Sequence, residues 1–215
     1  MKYSIIFPYH DRIPQLKKTL LSFVKYYSYR SDYEIVLILD YKTTIEMSNS
    51  LLYMLWDFWD KLNIKLITAS AKVSFSPSTA FNDGVKNSTG EFLIISNPEC
   101  KHEIDILDGL DREFEKDPNG YVICGCISLK KDGSFHRWYQ HSKERDARYH
   151  FCSALSRVNY IGIGGFNDEY TAGYGYDDNS FRDRVKAFGL PFVSRDDLVV
   201  SHQFHENCRP PNHRE

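Results

Sequence analysis

Short apolar runs alternate with segments of helical periodicity through the first half of the chain. Tyr3 to Pro8 reads as a buried strand stopped by proline, and Asp11 then caps a helix with Pro14 in its first turn and Leu16, Leu20, Val24 and Tyr27 on one face. Glu34 to Leu39 is a second strand ending on Asp40, and a second helix sets Met47, Leu51, Met54, Leu55, Phe58 and Leu62 at helical spacing. Ile64 to Thr68 is a third strand. Ser78 to Asn87 is a short helix closed near Gly90, and Glu91 to Ser96 a fourth strand ending at Asn97-Pro98-Glu99. This alternation predicts an α/β fold with a parallel sheet and right-handed crossovers, which binds ligands at the carboxyl ends of its strands. Asp40 and Glu99 both fall there.

The second half changes character. After a helix carrying Ile106, Leu107, Leu110 and Phe114, the turn Asp117-Pro118-Asn119-Gly120 leads into Tyr121 to Leu129, then Lys130-Lys131-Asp132-Gly133 and Phe135 to Tyr139, a β-hairpin pattern. His141 to Arg148 is polar without periodicity and reads as a mobile loop. Phe181, Val185 and Phe188 mark a last helix, Pro191 to Val193 and Leu198 to Val200 two extended segments, and Asn207 to Glu215 a loose polar tail. With no repeat or linker, residues 1–215 read as one domain, in two halves over 1–100 and 101–206 with the tail over 207–215.

Composition removes some classes of function. A hydrophobic content of 42% supports a full core, and a net charge of −2 gives no global field for nonspecific nucleic-acid binding. The five cysteines follow no zinc spacing; Cys124 and Cys126, two apart in an apolar run, read as buried thiols, which fits a reducing, cytoplasmic setting. The apolar run at the N-terminus is too short for a signal peptide or a membrane span, so the expectation is a chain without a transmembrane segment.

The candidate chemistry concentrates late in the chain. Gly164-Gly165-Phe166-Asn167-Asp168-Glu169 precedes Gly173-Tyr174-Gly175-Tyr176-Asp177-Asp178-Asn179. Dense glycines let backbone approach a ligand, and Asp177 and Asp178 stand where a helix starts, as proton acceptors or as a helix cap. His202 follows the apolar Leu198-Val199-Val200 run, a placement that suggests a purpose. Lys101 and His102, beside Glu99, read as solvated.

These residues resemble the GT-A-fold nucleotide-sugar glycosyltransferases, especially family 2, over most of the chain. The C-terminal half is also similar to the β-1,4-galactosyltransferase and polypeptide N-acetylgalactosaminyltransferase group. The resemblance implies a Rossmann-like domain with a mostly parallel central sheet and a smaller acceptor-side β and loop region. Within Tyr3 to Arg12, which resembles the opening strand and uridine loop, it assigns Pro8, Tyr9, His10 and Arg12 to the nucleotide, together with Asp40, Asn82 and Asn97. Ala80-Phe81-Asn82-Asp83-Gly84 is similar to the family's Ala-Arg-Asn-x-Gly, with Phe81 in the arginine position, and Asn97-Pro98-Glu99 takes the place of the Asp-x-Asp metal motif with its first carboxylate replaced. Gly164, Gly165, Asp168 and Glu169 resemble the acceptor-side motif, and Tyr176 and Trp138 are further candidates for contact with acceptor or sugar. Asp177 and Asp178 resemble the pair that includes the catalytic base, and His202 the late histidine that joins Glu99 on the metal.

The resemblance implies an inverting transfer of a hexose or N-acetylhexosamine from a UDP-sugar to a hydroxyl of a glycan, lipid-linked sugar, protein or modified nucleic acid. Mn2+ or Mg2+ would neutralise the diphosphate leaving group, with an imidazole ligand favouring Mn2+. Asp178 is expected to take the acceptor proton. Two alternatives stand beside this reading: a GT-A module that binds nucleotide or carbohydrate without catalysis, motivated by Asn97 and Phe81, and a sugar-phosphate nucleotidyltransferase, against which Pro8-Tyr9-His10-Asp11-Arg12 lacks the expected glycine-rich loop.

Overall fold

A computed structural model describes residues 1–40, 43–70, 77–143, 151–167 and 177–206. Its first half follows the sequence pattern closely: β1 (Tyr3–Tyr9), α1 (Ile13–Tyr27), β2 (Tyr33–Leu39), α2 (Ile45–Leu55), β3 (Ile64–Thr68), α3 (Pro77–Lys86) and β4 (Phe92–Ser96). Then come β5 (Cys100–His102), α4 (Ile106–Lys116), β6 (Tyr121–Leu129), β7 (Phe135–Tyr139), β8 (Cys152–Ser156), α5 (Arg157–Gly162), α6 (Asp177–Phe188) and β9 (Phe192–His202). One continuous sheet takes the order β3-β2-β1-β4-β8-β6-β9-β5, with β7 paired to β6. Strands β1, β2, β3, β4, β6 and β9 run the same way, while β5, β7 and β8 run against them. The sheet is therefore mostly parallel in direction, and its carboxyl ends form one edge.

Two apolar layers clamp this sheet. On one face α1, α2 and α4 bring Leu16, Leu20, Phe23, Leu51, Leu55, Leu107 and Leu110 against Ile5, Phe7, Ile35 and Ile94. On the other, α3, α5 and α6 bring Phe81, Val85, Tyr160, Phe181 and Val185 against Ile6, Val36, Ile95 and Ile123. Each fully buried side chain of this size contributes about 1.5–3 kcal/mol, so the central strands anchor the molecule. Helix α3 lies close on β1 and β2 because Gly84 has no side chain; a Cβ there would meet Ile6 at 2.4 Å and Ile38 at 2.8 Å. Among the described residues no helix is long and apolar enough to cross a membrane.

Several expectations are corrected. Arg12, not Asp11, is the residue preceding α1, with no side-chain cap, and Asp11 has a left-handed φ of 41°. Helix α2 ends at Leu55; Phe58 and Leu62 are buried in the turns that follow it. His102 is not solvated: it lies in β5, 1% exposed, with the Tyr27 hydroxyl 2.5 Å from its Nδ1. The two extended segments after α6 are one strand, β9, whose polar middle bulges where the pairing with β6 shifts between Cys124 and Gly125. Arg195 in that stretch bonds Glu113 and Asp197, while Asp196 accepts from the backbone of His141 and Ser142. Strand β8 and helix α5 carry no strong periodic signal; Arg157 secures them by donating to the carbonyls of Gly90 and Val85 and to the Ser88 hydroxyl. Cys100, Cys124, Cys126 and Cys152 are buried free thiols, as read for Cys124 and Cys126.

Candidate site at the carboxyl edge of the sheet

Glu99 stands just past β4, held from both sides. The carbonyl of Pro98 accepts from the Thr19 hydroxyl at 2.8 Å, and the carbonyl of Glu99 accepts from the Gln203 backbone N–H at 3.0 Å. Pairing of Cys100 with His202 across β5 and β9 brings the end of the last strand alongside. The Nε2 atoms of His202 and His205 then lie 3.6 and 3.4 Å from Glu99 Oε1. One ligand atom from each of the three residues falls within 4.8 Å of the others.

The surroundings of this triad set its charge. Burial alone would raise the Glu99 pKa, but the two imidazoles outweigh it and hold the carboxyl far below the ordinary carboxylate range. Glu99 in turn raises His205. Phe151 packs edge-on against His202, and Arg12 Nη2 lies 3.1 Å from His205 Nδ1. One hard oxygen and two borderline nitrogens, convergent and oriented by their neighbours, are a donor set that suits a first-row divalent ion such as Mn2+. The sequence reading had paired Glu99 with His202; His205 joins them, and the His202-Gln203-Phe204-His205 spacing was its signal.

The nucleotide-side candidates gather nearby with one exception. Asp40 leaves β2 at the same edge, 3.8 Å from His10 Nδ1, and its backbone N–H bonds the carbonyl of Tyr9. Pro8 is half-buried within β1 and Asn97 half-buried at the end of β4, where its carbonyl accepts from the Cys100 N–H. Tyr9 is the exception: its ring lies in the core, 2% exposed, and burial pushes its hydroxyl up to about 12.

Asn82 and the two glycines have an intramolecular reason to be what they are. Asn82 Oδ1 accepts from the Phe166 N–H at 3.0 Å and the Tyr160 hydroxyl at 2.7 Å, and its Nδ2 donates to the Phe166 carbonyl at 2.9 Å. Gly164 and Gly165 have φ of 77° and 65°, and a Cβ on them would meet Arg184 Nη2 at 2.6 Å and Asn82 Oδ1 at 2.5 Å. Asn82 and Arg184 thus close on the backbone of this turn, and Arg184 donates to the carbonyls of Ile163 and Gly165. Phe81, in place of arginine, stacks on Phe166 at 4.8 Å, and Phe166 on Phe181 at 4.2 Å. Asp168, Glu169 and Tyr176 lie outside the described residues. Trp138 stands 39% exposed on β7, opposite Ile127.

Asp177 and Asp178 form the first turn of α6. Helix α6 packs through Phe181 and Val185 on the second apolar layer and leads into β9. A helix N-terminus favours a carboxylate, yet burial pushes Asp178 up to about 6. Desolvation therefore wins at Asp178, and a carboxyl group that titrates near neutrality is suited to accept a proton.

Comparison with known proteins supplies the frame for this edge. The model of glycosyl transferase family 2 matches residues 4–184. Among solved structures, TarS of S. aureus with UDP superposes with a TM-score of 0.76 at 16% identity, covering 95% of this chain and 61% of that one. A mannosyltransferase of Pyrobaculum calidifontis with GDP-Man and Mn2+ gives 0.68 at 15%, covering 93% and 56%. GalNAc-T7 with UDP, GalNAc and Mn2+ gives 0.74 at 15%, covering 98% and 45%. The chain thus spans less than two thirds of the length of each of these structures, and at these identities the likeness is one of fold. No curated protein matches by sequence.

Proposed function

The chain belongs to glycosyl transferase family 2, and we propose that it moves a hexose or N-acetylhexosamine from a UDP-sugar to a hydroxyl acceptor with inversion. The observation that carries this reading is the convergence of Glu99, His202 and His205 on one point at the carboxyl edge of the sheet, the edge at which β2 leads into Asp40. That is where a nucleotide sits in a sheet of this kind. Structures of similar fold with UDP or GDP-Man and Mn2+ support it.

The residues divide the work. Glu99, His202 and His205 would hold a divalent cation, which supplies Lewis-acid charge to a diphosphate leaving group. Arg12, beside His205, adds a fixed positive charge at the same edge and stands in for the arginine that Phe81 replaces. Asp40 accepts hydrogen bonds from uracil or ribose, and His10 lies beside it. As the acceptor oxygen bonds to the anomeric carbon, the bond from that carbon to the diphosphate breaks and Asp178 takes the acceptor proton. A single displacement of this kind inverts the anomeric centre.

The test begins with the donor. Asp40→Ala should weaken UDP binding by about 1–3 kcal/mol, the cost of leaving ligand donors unpaired. Unchanged UDP affinity in calorimetry, with the fold intact, removes Asp40 from the site. Phe81 in the core keeps a second reading in play, a donor-binding module without turnover. Cleavage of UDP-sugar by the wild-type chain excludes that module; tight UDP binding with no cleavage in the presence of varied acceptors establishes it.

A further inference from the structure

A cleft of about 270 Å³ opens against the segment that carries the two histidines. Its walls come from the β6–β7 hairpin, the start of α1, the edge strand β5 and residues Gln203 and Phe204. Lys18, Lys101, Lys130 and Lys131 line it together with a single carboxylate, Asp132. In a chain with 29 acidic and 27 basic side chains, this is a local concentration of positive charge. Lys101 is paired with Glu103 at 2.8 Å and Lys131 with Glu206 at 3.4 Å. Lys18 and Lys130 make no ion pair among the described residues, and both are exposed at the cleft. Four ammonium groups from three separate elements facing one concavity favour an anion with several acceptor oxygens.

Position says which anion. Gln203 and Phe204 separate His202 from His205 in sequence, so one stretch of chain forms both the cleft wall and the metal-ligating end of the site. Lys101 is two residues from Glu99. A group seated in the cleft therefore belongs to a molecule that reaches the transfer edge from outside the donor position. We propose that this cleft binds a phosphate group on the acceptor, which makes the acceptor a phosphorylated sugar. The proposal rests on the reading of the neighbouring edge as the site of sugar transfer.

The experiment uses the full chain saturated with UDP and Mn2+, so that the donor position is closed to phosphate, and titrates it with glucose 6-phosphate, glucose or inorganic phosphate. Glucose 6-phosphate should bind measurably, weaken as NaCl is raised, and lose affinity by about an order of magnitude in Lys18→Ala/Lys130→Ala. Thermal unfolding and UDP affinity of that double variant should match wild type, because neither lysine makes an ion pair among the described residues. Equal affinity in the variant, or glucose binding as well as its phosphate, overturns the proposal. Inorganic phosphate binding as tightly as glucose 6-phosphate also overturns it, since the cleft then serves a free anion. Titration without UDP and Mn2+ reads the cleft by itself, so failure of UDP to bind would count against the donor reading alone.

Discussion

Asp178 and His205 carry opposite lessons about reading single residues. The acidic pair 177–178 was visible as a pair, but which of its members burial would perturb was not, because the packing of Phe181 and Val185 that sinks this turn is a property of the assembled face. With Asp178 pushed up to about 6, its base form is lost as pH falls below that value. The expected kcat/KM profile has an acid limb near pH 6, and Asp178→Asn should lower turnover by a factor of about 10² to 10⁴ with UDP affinity within a few fold. Normal turnover by that variant with loss in Asp177→Asn would reverse the two roles. His205 was legible only as one of two nearby histidines, since its approach to Glu99 depends on the β5–β9 pairing. His205→Ala should raise the Mn2+ concentration needed for half-maximal activity, as should Glu99→Gln, far more than either changes the thermal unfolding temperature measured in chelator, where only the loss of the His–Glu attraction is felt. Full activity in excess chelator would take the triad out of the reaction.

At the level of elements, agreement with sequence tracks how locally each one is encoded. Strands β1, β2 and β4 and helix α1 are written in their own residues, as parallel strands buried on both faces and a helix with one apolar stripe, while β3 is a half-exposed edge strand. Strand β5 is three residues long and exists because β9 pairs with it; the middle of β9 is Ser194-Arg195-Asp196-Asp197, a loop by composition that Arg195 and Asp196 hold in the sheet through Glu113 and the backbone of 141–142. The Gly164-Gly165 turn was legible as special but not as a clamp. Its glycines are needed because Asn82 and Arg184 close on it. Gly165→Ala is therefore expected to destabilise the chain by about 1–3 kcal/mol through strain at positive φ and the clash with Asn82. Chemical denaturation measures this, and a loss under about 0.5 kcal/mol, the usual range of a surface substitution, would show that the turn relaxes freely.

For the molecule as a whole, carboxylates distribute stability unevenly across pH. Asp32 is lowered by its hydrogen bond from Arg30; at Asp111 burial raises the pKa but bonds from Arg30, Lys2 and Tyr3 outweigh it. Glu34 is likewise lowered against burial, by the Thr89 N–H and the hydroxyls of Ser4 and Thr89. Folded values below the unfolded ones mean that this stabilisation is present above the ordinary carboxylate range, about 4, and is lost as pH falls through it. Asp178 has the reverse sign: its contribution is full below that range and disappears as pH rises through about 6. The unfolding temperature should thus fall steeply below about pH 4, and Asp178→Asn should raise it at pH 7.5 while changing it little at pH 4. A variant no more stable than wild type at pH 7.5 would show that the aspartate is not held in a costly environment.

The position of β9 has a consequence for how the molecule is made. This strand is the last one described in the chain, yet it lies inside the sheet, between β6 and β5. A nascent chain emerging from the ribosome can assemble β1 to β4 with their helices early, since all of those pairings fall within its first hundred residues. Cys100 to His102 must wait about a hundred residues for a partner, a span whose closure costs entropy before any contact repays it. Glu99 is synthesised with the early half, but its two histidines arrive only when the sheet is completed. Until then the growing polypeptide carries Glu99 without His202 and His205, so the three side chains come together only once the last strand has joined the sheet.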